Sequence, residues 1–360
     1  MRFSSIHYLE WTKTQTGCRI NLCPSSIEKV SLSSLSLDLS GLEISGANQY
    51  GYAPLVAALA SRYGTPPENV VTTQGTAQAL FLVCAALLNP GDRVLVEKPA
   101  YEPMLSVPAA LGAVVTRFER LFEEGFGVNL ESYHRELEKR PRLVLLTNLH
   151  NPSGAYLRPD ELRALARSAE AHGAYVLVDE VYLDFLGEPG ARSAFPLGKN
   201  VIVVSSLTKT YGLGGLRCGW MLAPADLAEK VWKIIDHMHV EGVFLGEQVA
   251  LQCFSRLEGI RRRHAECIAC NLSLLKDLVQ NDKRLSWIEP QGGVVGFPRV
   301  EAGFDGDRLA EHLKSRYATC VVPGRFFESP RHFRIGFGGV PDEFKQGITF
   351  LEKALDDLSG

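Results

Sequence analysis

Residues 201–219 read VIVVSSLTKTYGLGGLRCG. Val201 to Val204 are apolar at every position. A strand of that kind is buried on both faces. Hydroxyls, a lysine and a glycine-rich run follow it at once. Two further runs repeat the plan: Leu143 to Thr147, and Ala174 to Val178. Each also ends on polar residues, Asn148 to Gly154 in one case and Asp179 to Tyr182 in the other. Between the runs lie segments of helical period, such as Pro159 to Ala171 with proline in the first turn. Short apolar strands alternating with helices predict a mostly parallel sheet covered on both faces. Ligands bind such sheets beyond the carboxyl ends of the strands.

The same alternation extends outward from about Gly51 to Ala223. It predicts helices over 53–63, 76–88, 102–111 and 130–139. Strands are predicted over 69–73, 93–97 and 113–118. After Pro224 the character changes. Residues 226 to 278 read as two long helices broken near Glu241-Gly242. Beyond Leu285 come short strands (293–298, 319–322 and 333–337) and helices over 307–317 and 342–358. The expected division is a large α/β domain over 46–280 and a smaller α+β domain over 281–360, with residues 1–45 packing on the latter.

The chain has 360 residues, with 38 Lys+Arg against 41 Asp+Glu and a net charge of −3. That balance gives no basic field for holding nucleic-acid phosphates. Apolar residues make up 46% and charged ones 22%, which excludes disorder as the main state. The longest helix-like apolar run, Ala77 to Leu88, falls far short of the ~20 residues that span a bilayer. No secretory leader is visible, and the expected location is the cytoplasm. The 8 cysteines are therefore expected to be reduced. Cys267 and Cys270 follow His264 at metal-like spacing, but no second pair completes a zinc set. They read as helix cysteines, and no metal is expected.

The polar strand ends carry the chemistry. Lys209 is placed to act as an amine nucleophile or Schiff-base partner. Gly75-Thr76-Ala77 opens a helix, where backbone N–H groups favour an anion. Taken together, the sequence resembles the class I/II aminotransferases, pyridoxal 5′-phosphate enzymes of fold type I. Ser206-Leu207-Thr208-Lys209, Gly212-Leu213 and Gly215-Leu216-Arg217-Cys218-Gly219 match that family's lysine motif. Asn151 to Gly154 match its N-P-[ST]-G, and Asp179 to Tyr182 its D-E-x-Y. The resemblance implies a three-layer sandwich with a mostly parallel central sheet plus a smaller α+β domain. The reaction it implies moves an amino group from an L-amino acid to a 2-oxo acid, in a homodimer.

It also implies roles. Lys209 would bear the pyridoxal phosphate and shuttle a proton. Asp179 would keep the pyridine nitrogen protonated. Tyr182 and Asn151 would face the ring oxygen, and Tyr101 would stack on the ring. Gly75, Thr76, Ala77, Ser206, Thr208 and Arg217 would hold the phosphate. Arg334, with Asn151, would take the substrate α-carboxylate. Anion binding would rest on buried groups, Arg217 and Arg334. Glu180 reads as a supporting or surface carboxylate.

Two segments depart from the pattern. Gly46 stands where the family carries a tyrosine that reaches the neighbouring subunit's phosphate, with Tyr50 nearest to replace it. The L-x-x-G-x-P turn appears as Leu22-Cys23-Pro24-Ser25-Ser26, with serine at the glycine position. A Cβ lyase or cyclase on the same apparatus is the alternative reading. A cofactor-sensing regulator is a third, disfavoured because residues 1–50 are not basic.

Overall fold

The computed structural model describes residues 3–187 and 193–360. The apolar runs form a seven-stranded sheet: β1 (Val70–Thr73), β2 (Arg93–Lys98), β3 (Val114–Glu119), β4 (Leu143–Thr147), β5 (Tyr175–Asp179), β6 (Val201–Ser206) and β7 (Gly219–Leu222). Their order is β1-β7-β6-β5-β4-β2-β3. All pair in parallel except β7, which is antiparallel to both neighbours. The sequence reading missed β7. It is four residues long and follows a glycine run with only a three-residue 3-10 turn, Gly214–Leu216, before it, so the βα rhythm does not announce it. The run turns the chain straight back, and the Leu207 N–H donates to the Cys218 carbonyl at 3.1 Å. Lys209 therefore sits in a hairpin loop at the carboxyl end of β6.

Side chains alternate across the sheet with period two, and each face has its own cover. Val144, Leu146, Val176 and Val178 share a core with Leu55 and Leu59 of the helix Ala53–Tyr63, and with Leu162 and Leu165 of Pro159–Ala171. Leu143, Leu145, Leu177 and Ile202 share another with Leu80 and Val83 of Thr76–Leu87, and with Leu227 and Val231 of Ala225–Asp236. The result is a three-layer α/β sandwich. Each fully buried Leu or Ile contributes about 1.5–3 kcal/mol of transfer free energy.

Three helices, not two, follow Pro224: Ala225–Asp236, Phe244–Phe254 and Leu257–Asn281. The unforeseen break lies at Ser255-Arg256. Near the C-terminus Phe333–Gly336 pairs antiparallel with Val295–Gly296 and with Val322–Pro323. The helix Pro341–Ser359 packs on Leu257–Asn281 and on Gly306–Tyr317. A two-residue strand, Ile20–Asn21, lies parallel to Thr319–Cys320. That pairing brings Cys18 to Cys320, and the two form a disulfide with Cα atoms 6.1 Å apart. The expectation that all thiols are reduced is corrected here. No sequence spacing could show it, because the partners are 302 residues apart. Cys267 and Cys270 lie on Leu257–Asn281, half-buried and exposed respectively. Among the described residues, no helix is long and apolar enough to cross a membrane.

Candidate active site

A cavity of about 340 Å³ opens at the carboxyl ends of β4, β5 and β6. Thr147 and Asn151 reach it from the end of β4, Asp179 and Tyr182 from β5, and Lys209 from the loop after β6. Thr76 and Tyr101 add to the wall from the turns after β1 and β2, and Tyr8, Trp11, Cys23 and Ser25 line it from the N-terminal segment. The strand ends are those that the sequence reading singled out. The sheet order places β4, β5 and β6 side by side, so their polar ends meet.

Asp179 is buried, and its Oδ1 accepts from the Val181 N–H at 3.0 Å. Burial pushes its carboxyl up to about 7, against the pull of that N–H and of Lys209. Burial likewise draws the Lys209 amine down to about 8, assisted by the charge of Arg334 and opposed by Asp179. A lysine so placed is neutral far more often near neutral pH than an ordinary lysine, which is what a nucleophile or base needs. The Tyr182 phenol is pushed up to about 12 by burial and remains a donor.

The turn expected to face a phosphate brings together backbone N–H groups and the Arg217 and Ser206 side chains. Gly75 has φ of +90° and precedes the helix Thr76–Leu87, whose first N–H groups face outward. A Cβ on Gly75 would lie 2.7 Å from Nη2 of Arg217, and its φ of +90° is one that side chains rarely adopt. Arg217 donates to the Gln74 carbonyl at 2.5 Å and to the Gly214 carbonyl at 3.1 Å. Ser206 is buried, and its Oγ accepts from the Thr208 N–H at 3.3 Å. Ala77 and Arg217 are exposed in the single chain. Arg217 is thus not the buried group that the sequence reading expected. Arg334 is, with 0% exposure.

Arg334 lies on Phe333–Gly336, beside the cavity. Nη1 donates to Asn151 Oδ1 at 3.0 Å. Nη2 donates to the Tyr8 hydroxyl at 2.7 Å and to the Cys23 carbonyl at 3.1 Å. Nε has no partner, and Arg334 makes no ion pair among the described residues. A buried guanidinium without a carboxylate partner has the charge and the donors to take an anion.

Several contributors escaped the sequence reading. Tyr8 lies on a helix, His7–Thr14, that was not foreseen, and its ring meets Tyr101 edge-on at 5.8 Å. Behind the site, the buried Arg120–Glu97 pair (2.7 Å) holds Thr147 through its N–H and hydroxyl. Thr147 Oγ1 in turn accepts from the Asn151 N–H at 2.9 Å. Glu97 follows an apolar strand run, which is the only local signal. Glu180 is buried, and its Oε1 accepts from the Ala194 N–H at 2.6 Å, so it is not a surface carboxylate.

At the two departures the structure is explicit. A Cβ on Gly46 would lie 2.4 Å from the Phe244 ring, so that ring occupies the place of a larger side chain. Tyr50 is 61% exposed and packs edge-on against Trp232 at 5.6 Å. Ser25 is buried and accepts from Lys209 Nζ at 3.1 Å.

These residues fit pyridoxal phosphate. A free amine, a buried carboxyl without a strong cation, a glycine cradle that a Cβ would fill and an unpaired buried guanidinium match its aldehyde, its pyridine nitrogen, its phosphate and a substrate carboxylate. The family model for aminotransferase class I and II matches residues 36–351. Capreomycidine synthase of Streptomyces vinaceus is 33% identical over 305 residues, covering 84% of this chain and 78% of that one. A solved aminotransferase from Streptococcus suis superposes with a TM-score of 0.93 at 24% identity over the whole of both chains. The solved PLP-dependent cyclase OrfR gives 0.89 at 26% identity, covering 99% and 98%.

Proposed function

Since the chain belongs to the class I and II aminotransferase family, with pyridoxal phosphate as cofactor, we propose that it transfers the amino group of an L-amino acid to a 2-oxo acid. The observation that carries this reading is the unpaired Arg334 guanidinium beside the cavity that holds the Lys209 amine. One group can fix an α-carboxylate while the other handles the proton at Cα.

The roles follow from chemistry. When bound, the cofactor supplies an electron sink for the bond broken at Cα. Lys209 would hold it covalently, then accept the Cα proton on Nζ and return it at the neighbouring carbon. Asp179, as a carboxylate, would keep a pyridinium proton in place by charge. Tyr182 and Asn151 would donate to the ring oxygen, and Tyr101 would cover one ring face. Gly75, Thr76, Ala77, Ser206, Thr208 and Arg217 would bind the phosphate. The fork of Arg334 would orient the substrate, with Asn151 helping to place that fork.

A second reading is elimination or ring closure at Cβ. It draws support from the relative named capreomycidine synthase, from the cyclase OrfR, and from the Ser25 hydroxyl beside Lys209. The test is an amino-acid panel given to the loaded enzyme. Stoichiometric 2-oxo acid, with conversion of the cofactor to its amine form, supports transfer. Ammonia or a cyclised amino acid without that conversion replaces it with the second reading.

The active form is proposed to be a cytoplasmic homodimer. Exposed Ile44 (88%), Val240 (64%) and Tyr50 (61%) supply apolar surface for a partner copy, and sedimentation at twice the chain mass would show it. Residues 1–45 and 281–360 are proposed as one closing unit against 46–280, a division supported by the pairing of Ile20–Asn21 with Thr319–Cys320.

A further inference from the structure

The loop 22–28 touches both reactive groups of the cavity. The Cys23 carbonyl accepts from Arg334 at 3.1 Å. Two residues on, the Ser25 hydroxyl accepts from Lys209 Nζ at 3.1 Å. The loop cannot drift. The Ile27 N–H donates to the Lys209 carbonyl at 3.2 Å, and the Glu28 N–H to the Gly338 carbonyl at 3.0 Å. Two glycines admit the loop's backbone. A Cβ on Gly212 would lie 2.7 Å from the Glu28 carbonyl, and one on Gly336 would collide with the Pro24 carbonyl. Ser25 is thus fixed to the lysine loop on one side and to the Arg334 strand on the other. It stands where the resembled turn has glycine, and a glycine could make no such bond.

We propose that Ser25 is a positioning residue for the Lys209 amine, holding Nζ in place within the cavity while the amine is free. The inference rests on the reading of Lys209 as the cofactor-bearing residue. In the proton step the Cα–H bond breaks and an N–H bond forms on Nζ. The resulting ammonium has three N–H donors, and Ser25 Oγ accepts one without changing its own charge. The charged groups that act on that amine are Asp179, Arg334 and Arg217, and the Tyr182 phenol lines the same cavity. Ser25 adds a neutral acceptor that favours the ammonium. Its removal should lower the proton affinity of Nζ.

The experiment labels Lys209 in the cofactor-free chain with an amine-reactive anhydride across a pH series, read by mass spectrometry. Ser25→Ala, and separately Ser25→Gly, should lower the proton affinity of Nζ roughly tenfold. Ser25→Thr, which keeps the hydroxyl, should return it toward the parent. In the loaded enzymes, exchange of the substrate Cα proton for deuterium should slow in Ala and Gly but not in Thr. Labelling curves that coincide for parent, Ala and Gly overturn the proposal. Borohydride reduction of the parent with pyridoxal phosphate is the separate control. If it fails to fix the cofactor on Lys209, the underlying reading falls, whatever the Ser25 variants do.

Discussion

Arg334 shows what one residue can carry. A guanidinium at 0% exposure with no acidic partner among the described residues is costly to bury. The fold tolerates it because Asn151, Tyr8 and the Cys23 carbonyl accept three bonds from its two Nη atoms, leaving Nε free. A substrate carboxylate would complete the set. Arg334→Lys keeps the charge and loses the planar fork, so KM for the amino acid should rise at least tenfold with the cofactor absorbance unchanged. Arg334→Ala should lower kcat/KM by about 2–5 kcal/mol. Steady-state kinetics checks both, and an unchanged KM in either variant would remove Arg334 from the substrate site. Arg334 was legible from its setting after Val322-Pro323-Gly324. Its partner Tyr8 was not, because the two lie 326 residues apart and only tertiary folding joins them.

At the scale of elements, the helix His7–Thr14 is the case to explain. Eight residues are too few for a stable isolated helix, and its N-cap, Ile6, makes no side-chain bond. The cap comes from elsewhere. The Glu102 carboxylate accepts the N–H of His7 at 2.9 Å and that of Tyr8 at 2.5 Å. A carboxylate there also meets the positive end of the helix dipole. Glu102 neighbours Tyr101, so the residue proposed to stack on the ring and the helix that carries Tyr8 are tied together. Removing the cap by Glu102→Ala should cost about 1 kcal/mol locally. Amide exchange over residues 7–14 should then quicken several-fold while β4–β6 keep their protection. Equal exchange in parent and variant would show that Tyr8 and its neighbours hold the helix without the cap. A periodicity scan could not find this helix, since what stabilises it lies 94 residues away. The strands β4, β5 and β6 were readable for the opposite reason. Their burial is continuous along the chain, and each carries its own apolar run.

For the molecule as a whole, the polar strand ends were written beside the runs that position them, so the lysine, the aspartate and the asparagine were found together. The buried acids that support them were harder to read: a lone Glu97 in sequence looks like any surface acid, and Glu180 reads equally as support or surface. Those charges have a consequence for stability. Burial pushes the Glu180 carboxyl up to about 8 from an ordinary 4.5, against the pull of the Ala194 N–H and with Asp184 and Asp179 adding to the rise. A folded-state value above the unfolded one means that the folded chain binds the extra proton between those limits. The stabilising contribution is complete below about 4.5 and is lost as pH rises toward about 8. His150 works the other way. Burial holds its imidazole well below the usual range, so its contribution is present above about 6.5 and is lost as pH falls. The two slopes oppose each other below about 6.5, and above it the loss from Glu180 stands alone. Glu180→Gln removes one slope and leaves the other. The gap in Tm between parent and Glu180→Gln should therefore shift steadily against the parent from pH 5 to pH 8. Thermal melts of the cofactor-loaded protein would measure it. A gap that stays constant across that range would mean that Glu180 is already ionised in the fold, with its Oε2 charge met by a group other than the Ala194 N–H.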